Sequence, residues 1–184
     1  LLREAGYAFA IHPADLDEDA LTAAVNLPAD DLPIYLARAK AEAISQTFPQ
    51  QLILAADTVV ALGEQIIGKA ADAEDARRIL SLLSGSTHRV ITGVVVFRRS
   101  DGLIEAETVS STVEMNALSA AHIDDYLATN LWRGKAGAYG IQDTDTFVRR
   151  VSGCMTNIVG LPIKTTIRLL SEAGIPQPKT HKSG

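Results

Sequence analysis

The chain holds a single cysteine, Cys154, among 184 residues. An internal disulfide framework is therefore excluded, and the composition suits a reducing compartment, with the cytoplasm as the expected location. Apolar runs are short as well. None approaches the roughly 18 residues that a membrane-spanning helix needs, and no signal-peptide pattern is visible. Positive charge is not in excess: the net charge is -5 and the pI is about 5.3, which leaves no basic field for a nucleic-acid polymer. The four histidines, His12, His88, His122 and His181, have no ligand spacing, so a structural zinc site is not expected. Internal repeats and low-complexity segments are absent. What is present is a 47% hydrophobic composition, enough to build a sizeable core in one domain or two small lobes.

Local signals place the elements along the chain. Leu1 to Gly6 reads as the last turn of a helix with its glycine cap, and a strand and the start of that helix are expected upstream. Tyr7 to Ile11 alternates as a strand does. His12 to Asp31 is acidic, contains Pro13 and Pro28, and reads as a long loop with one helical turn near Asp19 to Val25; such loops are often functional. Leu32-Pro33 opens a helix that runs through Phe48 and ends at Pro49. Leu52 to Lys69 is a hairpin, and Asp72 caps a helix that ends at Ser84-Gly85. His88 to Arg99 is strongly β-branched, Asp101-Gly102 is a hairpin turn, and Leu103 to Met115 returns as a long strand. Ser119 caps a helix over Ala120 to Thr129, and Asn130 to Gly140 is a loop. Phe147 to Val151 is a short strand, and Ser152 to Pro162 is a second loop region interrupted by Asn157-Ile158-Val159. Pro162 to Ala173 is a closing helix. Helices alternate with strands while the central hairpins are antiparallel, which argues for α/β with a mixed sheet. Residues 1–174 form a single α/β domain in this reading, and 175–184 a flexible polar tail.

Ala56-Asp57-Thr58-Val59-Val60 is the most informative run. A short apolar strand delivers one carboxylate at its end, a second β-type run follows, and a turn leads to Gly68-Lys69. An acid and a lysine at opposite ends of a small hairpin can face one pocket, where the carboxylate holds a metal and the ammonium offsets phosphate charge. Ser84 to His88 is better read as a helix cap and strand start than as a phosphate loop. Lys135 to Gln142 has small residues that let a ligand approach the backbone, and the Gln142 amide carries both a donor and an acceptor, which suits a base edge. Cys154 reads as a buried small thiol rather than a nucleophile. Lys40 lies on an Ala/Leu-rich helical face, either as a snorkelling surface lysine or pointing into a phosphate pocket.

Taken together, these segments resemble the Maf family of nucleoside triphosphate pyrophosphatases, through most of the chain. The resemblance is carried by Leu36-Ala37-x-x-Lys40-Ala41, Ala56 to Val60, Gly68-Lys69, Leu83-Ser84-Gly85-x-x-His88-x-Val90-x-Thr92-Gly93, Lys135 to Gln142, and Asn157-x-Val159-Gly160-Leu161-Pro162. It implies the elongated mixed α/β fold of the inosine-triphosphate pyrophosphatases, with a cleft between two lobes. It implies hydrolysis of a nucleoside triphosphate to monophosphate and pyrophosphate with a divalent cation, Mg²⁺ or Mn²⁺. By the same resemblance Asp57 and Glu18 are catalytic and metal-holding carboxylates, and Lys40 and Lys69 are phosphate-side lysines. Thr58 and Gln142 match the dTTP/UTP branch. The implied partner is a nucleotide, with no nucleic-acid polymer and no membrane, and a homodimer is compatible with the family.

Departures from the family pattern are also visible. The Ser-x-Ser-Pro-Arg-Arg signature, which holds triphosphate in relatives, is expected just before Leu1. Ala70 stands where the family usually has Pro, Asn130 to Gly134 replace a commoner Gly-Glu-Pro-x-Asp, and Asp143 and Asp145 occupy a stretch that is usually Gly-rich. A second reading, from another class, is a nucleotide- or protein-binding regulator of cell division with little catalysis.

Overall fold

The computed structural model describes residues 1–143 and 147–178. Six helices and five strands alternate along them: α1 (Glu18–Ala23), α2 (Leu32–Thr47), β1 (Ile53–Leu62), β2 (Gln65–Ile67), α3 (Ala73–Leu83), β3 (Thr87–Arg98), β4 (Leu103–Met115), α4 (Ala120–Ala128), β5 (Val148–Ser152), α5 (Met155–Ile158) and α6 (Ile163–Glu172). The caps explain several boundaries. Asp17, Asp72 and Ser119 each accept a backbone N–H three residues on, from Ala20, Asp75 and His122, satisfying donors that a helix start leaves orphaned. Gly6, with φ +91°, closes the opening turn: Tyr7 N–H reaches Leu2 O at 3.2 Å and Gly6 N–H reaches Arg3 O at 2.9 Å. Those two bonds make the Schellman cap expected from its sequence.

The five strands form one sheet in the order β2-β1-β3-β4-β5. Each of its pairings is antiparallel, which corrects the expectation of a mixed sheet. The physical reason lies in where β1 sits. Strands β2 and β3, joined through α3, run in the same direction, as helix–strand alternation suggests, but β1 lies between them and opposes both. Two other readings also change. Tyr7 to Ile11 is not a strand: it makes no ladder pairing, and Ile11 is 73% exposed. Its alternation lacks a partner strand to take the backbone hydrogen bonds. Asp57 does not end a strand but sits in the middle of β1. The interruption of the second loop region is the single turn of α5, which contains Asn157 and Ile158.

Successive side chains of a strand point to opposite faces, and the two faces of β1 are covered differently. Val59 and Ala61 pack with Ile91 against Leu32 and Leu36 of α2. Val60 packs with Val90 against Ile79, Leu80 and Leu83 of α3, and Leu54 and Ala56 meet Leu169 and Leu170 of α6. One residue fixes how closely α2 approaches. A Cβ on Gly93 would lie 2.3 Å from the Ile34 backbone nitrogen, so glycine is what allows the start of α2 to rest on β3. Gly93 is the cross-strand partner of Asp57, and the same close contact therefore brings α2 over Asp57.

Candidate active site

Four charged side chains meet on the α2 face. Lys40, two turns into α2, points at β1: its Nζ lies 2.6 Å from Asp57 Oδ1 and 2.9 Å from Glu18 Oε1. The other oxygen of Glu18 accepts from Lys69 Nζ at 3.0 Å. The result is a chain of alternating charge, Lys69–Glu18–Lys40–Asp57, drawn from a strand end, the first residue of α1, α2 and mid-β1. Burial decides how each group titrates. Asp57 is 8% exposed; burial raises its carboxyl above the ordinary value, outweighing the Lys40 hydrogen bond and charge that lower it. Burial also pushes Glu18 up, but Lys40 and Lys69 together outweigh it and hold the group below its usual range. Burial would lower Lys40, yet Asp57 and Glu18 outweigh burial and keep its ammonium charged.

The other face of β1 is neutral. Thr58 Oγ1 lies 2.8 Å from Thr92 Oγ1, and Thr92 donates to the Asn157 carbonyl at 3.2 Å. Asn157 is fully buried and donates through Nδ2 to Val90 O and to Ser111 Oγ, both at 2.9 Å. Between the two faces lies a free edge. Strand β1 pairs with β2 only over Val60 to Leu62, so among the described residues its edge from Ile53 to Val59 is unpaired on that side. A cavity of about 330 Å³ opens there, with Asp57, Thr58, Lys69, Tyr139, Gln142 and Gly160 in its wall. A second hollow of about 900 Å³, largely apolar, extends past Lys40 toward Phe9 and Phe48.

The cavity wall opposite β1 is the segment 134–143, and three contacts hold it. Gly137 N–H donates to Gly68 O at 3.0 Å, and Lys69 bridges to Ala136. Gly137 has φ +72°, and a Cβ there would approach Val60 and Tyr139 at 3.0 Å, so the tight dock requires glycine. Next, Tyr139 meets His88, whose Nε2 lies 2.7 Å from the phenol oxygen. Burial pushes His88 down to about 4, so the ring is neutral near pH 7. Finally, Asp143 gathers three donors: Tyr126 OH, Gly140 N–H at 2.9 Å and Lys135 Nζ at 2.5 Å. Gln142 precedes this anchor and lines the cavity.

No group of three or more His, Cys, Asp or Glu side chains gathers as a metal cage among the described residues. The donor set nevertheless fits a hard divalent cation. Glu18 and Asp57 converge on one ammonium from two sides, and Mg²⁺ is commonly bound through one or two carboxylates with substrate phosphates and water completing its shell. Glu18 and Asp57 are the residues that would hold such a cation.

The six residues singled out from the sequence all lie around this edge. Glu18, Lys40, Asp57 and Lys69 touch one another, while Thr58 and Gln142 line the cavity. Ser84 to His88 is a cap and strand start as read, with Gly85 at φ +70° and Ser84 Oγ accepting from Leu118 N–H at 2.7 Å. Cys154 is half-buried rather than buried, with Sγ 3.1 Å from Thr156 Oγ1. Asp145 and His181 lie outside the described residues. Sequence reasoning quoted Thr92 and Asn157 only within motifs and gave them no role, and it did not single out Tyr126. Thr92 and Asn157 are 65 residues apart and carry no local signal of their contact; the pairing of Asp143 with Tyr126 is equally invisible to spacing.

Comparison with known proteins completes the description. A family model described as Maf-like protein matches residues 1–173. A protein of Anaeromyxobacter dehalogenans named dTTP/UTP pyrophosphatase is 44% identical over 181 residues, covering 97% of this chain and 90% of the relative. One of the same name from Rhodospirillum rubrum is 46% identical over 170 residues, 90% of this chain and 77% of the relative. Another from Lacticaseibacillus casei is 39% identical over 166 residues, 88% of this chain and 86% of the relative.

Proposed function

The chain belongs to the Maf family, and from that premise we propose that it hydrolyses nucleoside triphosphates, dTTP and UTP foremost, to the monophosphate and pyrophosphate. The observation that carries the reading is the Lys69–Glu18–Lys40–Asp57 chain beside the cavity. Relatives at 39–46% identity that bear the name dTTP/UTP pyrophosphatase support the same reaction and do not favour a regulator without catalysis. No helix among the described residues is long and apolar enough to cross a membrane, and with the acidic net charge this fits an enzyme of free nucleotide pools in the cytoplasm.

Residue roles follow from position and environment. Asp57 is the general base for the attacking water. Burial raises its carboxyl, which improves it as a proton acceptor, while Lys40 keeps it ionised and aimed. Lys40 and Lys69 bind phosphate oxygens and offset the charge that builds on departing pyrophosphate. Glu18 bridges both ammonium groups and neutralises them until the substrate arrives. Glu18 and Asp57 are also the residues that would hold Mg²⁺ or Mn²⁺, which when bound supplies neutralisation of phosphate charge and polarisation of water. Thr58 and Gln142 read the base at the neutral end of the cavity.

The test is a panel of nucleoside triphosphates assayed with Mg²⁺ and with Mn²⁺, scoring pyrophosphate release. UTP and dTTP are expected as the best substrates, CTP weaker and purines poor. A preference for GTP, methylated GTP or ITP over every pyrimidine overturns the base assignment. Release of orthophosphate in place of pyrophosphate, or no hydrolysis of any triphosphate, overturns the reaction itself.

A further inference from the structure

Uracil and thymine differ from cytosine in one ring position that matters for hydrogen bonding. The first two carry an N–H at N3; cytosine has a bare lone pair there. A site that separates them needs an acceptor whose direction cannot change. The Gln142 amide does not meet that need, because it can turn over and offer its N–H instead of its carbonyl. A hydroxyl can also rotate between donor and acceptor, unless its hydrogen is already committed.

The Thr58 hydroxyl is committed in this way. The Asn157 carbonyl oxygen can only accept, so the 3.2 Å contact with Thr92 Oγ1 uses the Thr92 hydrogen. Thr92 then has no hydrogen left for Thr58, and the 2.8 Å contact between the two hydroxyls must be donated by Thr58. The Thr58 hydrogen thus points away from the cavity, and its oxygen offers the cavity only lone pairs. The far end of this relay is itself immobile. Thr92 and Asn157 are both fully buried, and Asn157 is fixed by Val90 O and Ser111 Oγ from two strands. The near end is reachable: Thr58 lines the cavity, and its Oγ1 lies only 3.6 Å from where a Cβ of Gly160 would be. Glycine at that position keeps the approach to the hydroxyl open.

We propose that Thr92, fixed by the Asn157 carbonyl, is a positioning residue that holds the Thr58 hydroxyl as an acceptor toward ring N3, so that the site takes uracil and thymine over cytosine. This rests on the cavity being the nucleotide site of the proposed function, and it assigns the discrimination to a buried pair that never touches the ligand. A lone pair of cytosine facing the lone pairs of Thr58 leaves both acceptors unpaired, the kind of mismatch that a hydrogen-bonding site rejects.

The experiment measures binding of UMP, CMP and inorganic tripolyphosphate by calorimetry to the whole chain and to three variants. Thr92→Val keeps the shape of the buried side chain but frees the Thr58 hydroxyl to rotate. The UMP-to-CMP preference is expected to fall by about 10-fold, the worth of one directional hydrogen bond, through tighter CMP as much as weaker UMP. Tripolyphosphate binding should not change. Thr92→Ser restores the relay and should restore the preference, which a packing role for the threonine methyl would not do. Thr58→Val should lose the preference equally, and the double variant should lose no more than either single one. Should Thr92→Val not fold, Thr58→Val together with Thr92→Ser still gives the same contrast. An unchanged UMP-to-CMP ratio in Thr92→Val or Thr58→Val overturns the proposal, as does wild-type protein that binds UMP no better than CMP. Because the readout is binding, a protein that shows the expected ratios but hydrolyses no triphosphate contradicts the pyrophosphatase reading and leaves this one standing.

Discussion

Asp57 and Thr58 are adjacent in sequence, yet they open onto two environments built by different physics. On the Asp57 side, four charges alternate with every partner a flexible side chain, and Lys69 is half exposed. On the Thr58 side there are hydroxyls, an amide and backbone carbonyls, tied to three strands and a helix turn and fully buried at Thr92 and Asn157 behind Thr58. Ion pairs are non-directional and exchange partners readily, so phosphate can take over the lysines from Glu18 at little cost. Buried neutral hydrogen bonds are directional and costly to leave unmade, so they keep their geometry when a ligand arrives. The first kind of surface suits a triphosphate whose charge must be handled as it moves. The second suits a base that must be told from its near neighbours.

The largest expected effect breaks the charged side alone. Asp57→Asn preserves size and leaves Lys40 paired with Glu18, so the fold should persist while the base for water is lost. Turnover of UTP should drop by about 10²-fold or more, the usual share of a positioned acid or base, with the thermal transition close to that of the unaltered chain. A normal rate would remove Asp57 from the mechanism. The same charge change at Thr58 has no counterpart, because that side carries no formal charge to remove.

Gly93→Ala strikes the element that aligns the two sides. The new methyl would meet backbone atoms of Pro33 and Ile34 at 2.3–2.6 Å, and backbone cannot yield as a side-chain tip can. Helix α2 must lift, at a cost of about 3 kcal/mol or more, and Lys40 leaves Asp57 with it. Denaturant unfolding and UTP turnover should both register the loss. If stability falls but turnover does not, α2 is not what aims Lys40.

That dependence also explains what was legible in the sequence. Caps, β-branched runs and turn dipeptides are local, so β4 falls on Leu103–Met115 as read and α3 starts after Asp72. The four charged residues singled out by type and by the motifs around them also come together in the structure. Sheet direction was not legible: helix–strand alternation looks the same whether β3 joins β2 or crosses to the far side of β1. Nor were the contacts that order the neutral side. Asn157 reaches Val90 and Ser111 across 67 and 46 residues, and nothing in an Asn-Ile-Val-Gly turn says that it is buried. Tyr7 to Ile11 misled for the converse reason, having the pattern of a strand without a neighbour to pair with.

Titration separates the two sides again. On the charged side the shifts oppose one another: Asp57 is raised and binds its proton more readily folded than unfolded, whereas Glu18 is lowered and does the reverse. Their contributions to the pH dependence of stability partly cancel. His88 behind the cavity wall has no such counterweight. Its folded value of about 4 lies below the ordinary 6.5, so between these pH values the unfolded chain binds a proton that the folded chain refuses. Stability is full above about pH 6.5 and is lost as pH falls toward 4, on the order of 3 kcal/mol across the window. Urea titrations at pH 7 and pH 5 should show the slope, and His88→Gln should flatten it. An equal slope in the variant would assign it to other groups.

The smallest expected effect tests whether the neutral end tolerates the loss of one anchor. Asp143 is the exception there, a carboxylate, but it is neutralised by Lys135 and saturated by Tyr126 and Gly140. It therefore behaves as a hub for the segment that carries Gln142 rather than as a free charge. Tyr126→Phe removes one of its three donors and leaves the ring stacked edge-on against Phe147 at 5.0 Å. The packing is retained, so the loss should be that of one hydrogen bond to a charged acceptor, about 1–2 kcal/mol in unfolding free energy. Because Lys135 and Gly140 still hold Asp143, the segment should stay docked, and the KM for UTP should rise by no more than about 3-fold, well under 1 kcal/mol. A much larger rise in KM with unchanged stability would mean that Tyr126 sets the position of Gln142 directly, and that the neutral end is a single cooperative unit rather than a set of separate anchors.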